Sequence, residues 1–147
     1  MSRRDEQMQR VQEFLKTIDT VKESGIIFSS SILRRDIIKA IRDYFGTRKV
    51  ATLDESIGIK EKIDEIIIQS LREGTPLFVS VSVQEIPIIA RRLEQLFEDG
   101  YIEEATSGGR KKITPANGWY SIVWADAASF RDQEFPLKEL YGYKLSL

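Results

Sequence analysis

Cysteine and histidine are both missing from this chain of 147 residues. The first absence excludes disulfides, thiolate metal sites and cysteine nucleophiles, and the second removes the usual general base and the commonest metal ligand. An excess of either charge is also lacking: 22 Lys and Arg stand against 23 Asp and Glu, a net charge of -1. Attraction to nucleic acid or to an anionic membrane must therefore come from a local patch. No apolar run approaches the ~20 residues that span a bilayer. The N-terminus MSRRDEQMQR opens a charged amphipathic segment rather than a hydrophobic signal core, so the expected location is the cytoplasm, away from membranes. Asparagine occurs once, as Asn117.

Catalytic patterns are equally scarce. There is no Walker or dinucleotide glycine pattern, and Ser107-Gly108-Gly109 lacks the surroundings of a phosphate cradle. No acid stands two residues before any lysine, and neighbouring acids such as Asp54-Glu55 and Glu103-Glu104 diverge from a helix or strand. The sequence leads us to expect no enzyme, no cofactor and no metal site.

What is present is enough for one core: 41% of the residues are hydrophobic, and the length suits a single domain over residues 1–147. Met8, Val11, Phe14, Leu15, Ile18 and Val21 recur at helical spacing, which predicts an N-terminal helix within residues 1–23 that serves either its own core or a dimer seam. Further helices are expected over about 32–45, capped by the serines at 29–31, over about 55–73, and from about 84–86 to Gly100 with Pro87 in its first turn. Residues 77–83 alternate apolar and small residues, as in a strand. Tyr101 to Ala105 and Arg110 to Thr114 flank Ser107-Gly108-Gly109 as a hairpin, and Trp119 to Trp124 is β-prone. Joined as a meander, these make an α+β fold, helices on a small antiparallel sheet, with its core over 26–125 and a C-terminal tail over 126–147.

Two groups of residues could carry binding. Arg91, Arg92 and Gln95 lie away from the apolar face of the last helix, and arginine and glutamine at that spacing can read base edges in a major groove. Glu94 and Glu98 oppose them. Arg110, Lys111 and Lys112 form a cationic hairpin tip suited to a phosphate backbone. Trp119, Tyr120 and Trp124 beside that tip are candidates for stacking on single-stranded bases, or else core aromatics.

The segment RRLEQLFEDGYIEEATSGGRKKITPANG resembles winged helix-turn-helix regulators of the MarR and PadR type over about 30 residues. The resemblance places Arg91, Arg92 and Gln95 on a recognition helix, Gly100-Tyr101-Ile102 at its exit, Arg110, Lys111 and Lys112 in the wing, and Thr114-Pro115 after it. The strand-like stretches 77–83 and 119–124 depart from the family pattern. The resemblance implies a DNA-binding winged helix, acting as a homodimer in transcription regulation. The residues alone leave open a single-strand binder and a protein-interaction adaptor.

Overall fold

The computed structural model describes residues 2–54, 60–80, 87–130 and 141–147. Its first helix, α1 (Arg3–Val21), starts at Ser2, whose hydroxyl accepts from the Asp5 amide in a capping box, and ends at Lys22 in the left-handed region. Val11, Leu15 and Ile18 are its buried stripe. Next comes β1 (Gly25–Ser29), in which all five residues are buried. Continuous burial marks a strand covered on both faces, which is a property of parallel sheets. A short 3-10 turn, Ser31–Leu33, leads into α2 (Arg34–Phe45). Then follow β2 (Ala51–Leu53), α3 (Lys60–Glu73), β3 (Leu77–Val79) and α4 (Pro87–Asp99). The hairpin β4 (Ile102–Thr106) and β5 (Gly109–Ile113) precedes β6 (Ser121–Asp126), a second 3-10 turn at Ala127–Phe130, and β7 (Tyr143–Ser146).

Five of these strands form one sheet in the order β2-β3-β6-β1-β7, and every pairing in it is parallel. Parallel neighbours need crossover connections, and right-handed crossovers put the helix on one face when the chain moves one way along the sheet and on the other face when it moves back. Moving from β1 out to β2 places α2 beside α1, where Ile37, Ile41 and Phe45 pack with Val11, Leu15, Ile27, Phe78, Ile122 and Trp124. Returning through β3 and β6 places α3 and α4 on the opposite face, where Ile67, Leu71, Ile89 and Leu93 pack with Ile26, Leu77, Val79 and Val123. Alternate residues of β1, β3 and β6 serve the two cores.

This architecture overturns the expected winged helix. The fold is α/β, a five-stranded parallel sheet flanked by helices, and not helices on a small antiparallel sheet. The hairpin exists, with Glu103 opposite Lys112 and Glu104 opposite Lys111, but it is a separate two-stranded sheet. Residues 77–79 and 121–126 do not join it as a meander; they are parallel neighbours in the centre of the main sheet. The expected C-terminal tail also changes character, because Tyr143–Ser146 is an edge strand paired with β1. Periodicity reports which residues are buried, and it is blind to the direction in which strands pair.

Candidate functional site

In an open doubly wound sheet, ligands bind outside the carboxyl ends of the strands, where neighbouring strands send their connections to opposite faces. Here that point lies between β1 and β6. From β1 the chain runs to α2 on one face, and after β6 it sets off over the other, where Ala127 and Tyr141 pack. Ser29 and Asp126, in register at the two strand ends, define the crevice.

Side chains of β1, β6 and α2 are tied to one another beside this crevice. Trp124 donates its indole N–H to Ser29 Oγ at 2.9 Å, and Ser29 Oγ donates to the Ser30 carbonyl, also at 2.9 Å. Arg34, the first residue of α2, donates from Nε to the Ser80 carbonyl at 2.7 Å, just beyond the end of β3. Its guanidinium lies 5.5 Å from the centre of the Trp124 ring, within cation–π reach. Ser80 is itself tied to β2, its amide donating to the Leu53 carbonyl at 3.0 Å. Arg34 therefore bridges the tops of β6 and β3.

A phosphate cradle at such a place needs a glycine-rich strand-to-helix loop whose amides can approach the anion. Ser30 to Leu33 contains no glycine. Arg34 and Arg35 instead occupy the first turn of α2, with Asp36 the only acid there and no side chain capping the helix. Asp126 uses its carboxylate to accept from the Ala128 amide at 3.1 Å. Among the described residues no group of three or more acids could hold a metal ion.

The residues singled out from sequence sit elsewhere. Arg92 is committed to the fold: it grips Asp64 of α3 through Nε at 2.9 Å and Nη2 at 3.0 Å, and reaches the Glu103 carbonyl at 3.4 Å and Gln95 Oε1 at 3.5 Å. Arg91 is exposed and Gln95 half-buried on the same helix. The hairpin cations are interleaved with acids, and Arg110 pairs with Glu103 at 3.1 Å. Lys112 lies over the Tyr101 ring at 4.5 Å, while Lys111 is exposed. Trp119 donates to Ser70 Oγ at 2.9 Å and is half-buried. Tyr120 and Trp124 are 1% and 4% exposed, so neither ring offers a face to a nucleobase.

Tyr120 belongs to a polar hub at the opposite end of the sheet. Its hydroxyl and that of Tyr44 each donate to Asp19 at 2.8 Å, joined by Arg48 at 2.9 Å and Lys22 at 3.0 Å. Burial alone would raise the Asp19 pKa, but these four donors outweigh it and hold the carboxyl far below its ordinary range. Burial and the Asp19 charge push both tyrosines up. The hub lies away from the carboxyl ends of the strands and ties α1 to the start of β6.

Sequence reasoning missed Ser29, Arg34 and Asp126. By sequence the serines at 29–31 serve as a helix cap and Arg34 carries no distinguishing pattern. The available signal was the junction itself, a β-prone Ile26-Ile27-Phe28 passing through serines into a helix.

No protein-family model matches the sequence, and no curated protein matches it. Solved structures do. NtrX from Brucella abortus in complex with ATP is similar over 95% of this chain at 13% identity, with a TM-score of 0.59, and the complex with ADP gives 0.56 at the same identity and coverage. The match takes in 35% of the NtrX chain, so this chain spans about a third of that protein's length. The flavodoxin-like doubly wound sheet has the strand order 2-1-3-4-5. Numbered along the chain, the five strands here run 2-3-4-1-5. The likeness therefore shows an α/β parallel-sheet fold in place of the winged helix.

Proposed function

We propose that this chain is a non-catalytic signal-transduction module, built on a doubly wound sheet whose ligand crevice is closed by its own side chains. NtrX is a response regulator, and its two complexes contain ATP and ADP. The observation that carries the reading is the Arg34 clasp, with Nε 2.7 Å from the Ser80 carbonyl and the guanidinium over Trp124, where an open crevice would take a ligand. Histidine and cysteine are lacking, so the crevice has no imidazole or thiol for proton transfer or nucleophilic attack, and Asp126 accepts from the Ala128 amide.

Calorimetric titration with ATP and with ADP, each with magnesium, tests this. No binding heat is expected from the wild type at ~1 mM nucleotide, a concentration that detects even millimolar affinity. A second reading has one observation in its favour: Arg34 and Arg35 in the first turn of α2 face the positive end of the helix dipole, a repulsion that a bound anion would relieve. Saturable nucleotide binding that Arg35→Glu abolishes would establish that reading and overturn the closed crevice.

A further inference from the structure

The outer row of α2 carries charge of one sign. Arg35, Lys39 and Arg42 recur at spacings of four and three, which puts them on one strip of the helix, and all three are exposed. None has an ion pair among the described residues. The acids of α2 lie on the flank toward α1: Asp36, half-buried, bonds Arg4 of that helix, and Asp43, seven residues on, is in line with it.

Standing alone, this row is unfavourable. Arg35 with Lys39 and Lys39 with Arg42 are like-charge neighbours that weaken a helix, and Arg35 in the first turn lies at the positive end of the helix dipole. One turn earlier the row begins with Ile32, which is 85% exposed. In a 3-10 turn such as Ser31–Leu33, side chains three apart lie directly in line, so Ile32 stands beside Arg35. Among the described residues the other exposed large apolar side chain is Val21, at 44%. Negative charge and an apolar phase, presented together, relieve both the repulsion and the exposure.

We propose that this row docks on an anionic lipid bilayer, with Ile32 entering the headgroup boundary and Arg35, Lys39 and Arg42 meeting lipid phosphates. A net charge of -1 leaves attraction to such a surface to a local patch, and α2 supplies one. From Ile32 to Arg42 the row is about 15 Å long, so all four side chains reach one plane. Long, flexible cations around a single aliphatic side chain need no shaped cleft in the partner, which suits a fluid surface. In the same layer α1 mixes both signs, with Arg3, Arg10 and Lys16 exposed alongside Asp5, Glu6 and Glu13, and so neither aids nor opposes the contact. Binding is reversible, since each cation raises the partition only about fivefold.

Co-sedimentation with vesicles tests the proposal. At low salt the wild type is expected to sediment with phosphatidylcholine vesicles containing about 30% phosphatidylserine, and to be released in about 0.5 M salt. Phosphatidylcholine alone should leave it in solution. Arg35→Gln, Lys39→Gln and Arg42→Gln together should lower the partition about 100-fold, and Ile32→Ser about tenfold, with folding verified by circular dichroism. Lys62→Gln, Lys111→Gln and Lys112→Gln together remove the same charge from the opposite face of the sheet and should leave binding unchanged. A wild type that ignores anionic vesicles, an α2 variant that binds as well as the wild type, or an equal loss in the opposite-face variant overturns the assignment. Binding of poly-glutamate without binding of vesicles would give the row to an acidic protein partner and overturn it as well.

Discussion

Asp19 illustrates how much one side chain can hold together in a molecule of nearly balanced charge. Four donors from three parts of the chain converge on its carboxylate. Its folded pKa lies below the ordinary 3.8, so the stability it supplies is complete above that value and is lost as the pH falls below it. Tyr44 and Tyr120 have folded pKa values raised above the ordinary 10; their contribution is complete below pH 10 and is lost at higher pH. Urea unfolding at a series of pH values should show both losses. Asp19→Asn is expected to cost about 2 kcal/mol at neutral pH, the scale of a hydrogen bond to a charged group, and to flatten the acid limb. An unchanged acid limb in that variant would remove Asp19 from the account. Trp124→Phe keeps most of the buried ring but drops the bond to Ser29, and about 1 kcal/mol of destabilisation is expected by the same measurement.

At the scale of elements, most boundaries were legible because helical spacing and caps are local. The α1 stripe of Val11, Leu15 and Ile18 is buried as its spacing requires, α2 stops before Gly46, and the hairpin turns at Ser107-Gly108. The start expected for α3 near residue 55 lies outside the described residues, as does the stretch 81–86 of the expected strand and of the following helix start. How the hairpin's charges pair was not legible, because Glu103 bonds Arg110 and Glu104 bonds Arg72, a residue of another element. The hairpin base is anchored by Ile102 and Ile113, 0% and 4% exposed, and Leu93 of α4 is fully buried in the same core. Leu93→Ala is expected to cost about 3 kcal/mol through the lost contacts and the cavity left behind. Denaturant titration measures it, and a cost below half that value would mean that α4 is not packed as described.

For the whole molecule, the question is how much depends on the last residues. Read locally, residues 141–147 are an aromatic tail; in the sheet, they cover one side of β1, and Tyr141 and Leu145 are 1% and 9% exposed. The Tyr141 hydroxyl shares a 2.7 Å hydrogen bond with Ser121 Oγ inside the core. A variant ending at residue 140 is therefore expected to lose cooperative unfolding altogether, followed by circular dichroism on heating. A truncated protein melting at the wild-type temperature would show that β7 is dispensable. Among the described residues no helix is long and apolar enough to cross a membrane.

By itself, the sequence determined what could not occur and what had to be buried: no thiol or imidazole chemistry, helices with one apolar stripe, and strands bounded by their turns. These follow from composition and from periods of 3.6 and 2, which any local reading can detect. The tertiary structure alone decided that Leu77–Val79 and Ser121–Asp126 lie parallel rather than in a meander, that Tyr143–Ser146 completes the sheet, and that Arg34 reaches Ser80 across the crevice. Strand direction is set by how the intervening helices pack back on the sheet, and the Arg34 contact joins residues 46 apart in sequence. Neither leaves a trace in the spacing of neighbouring residues.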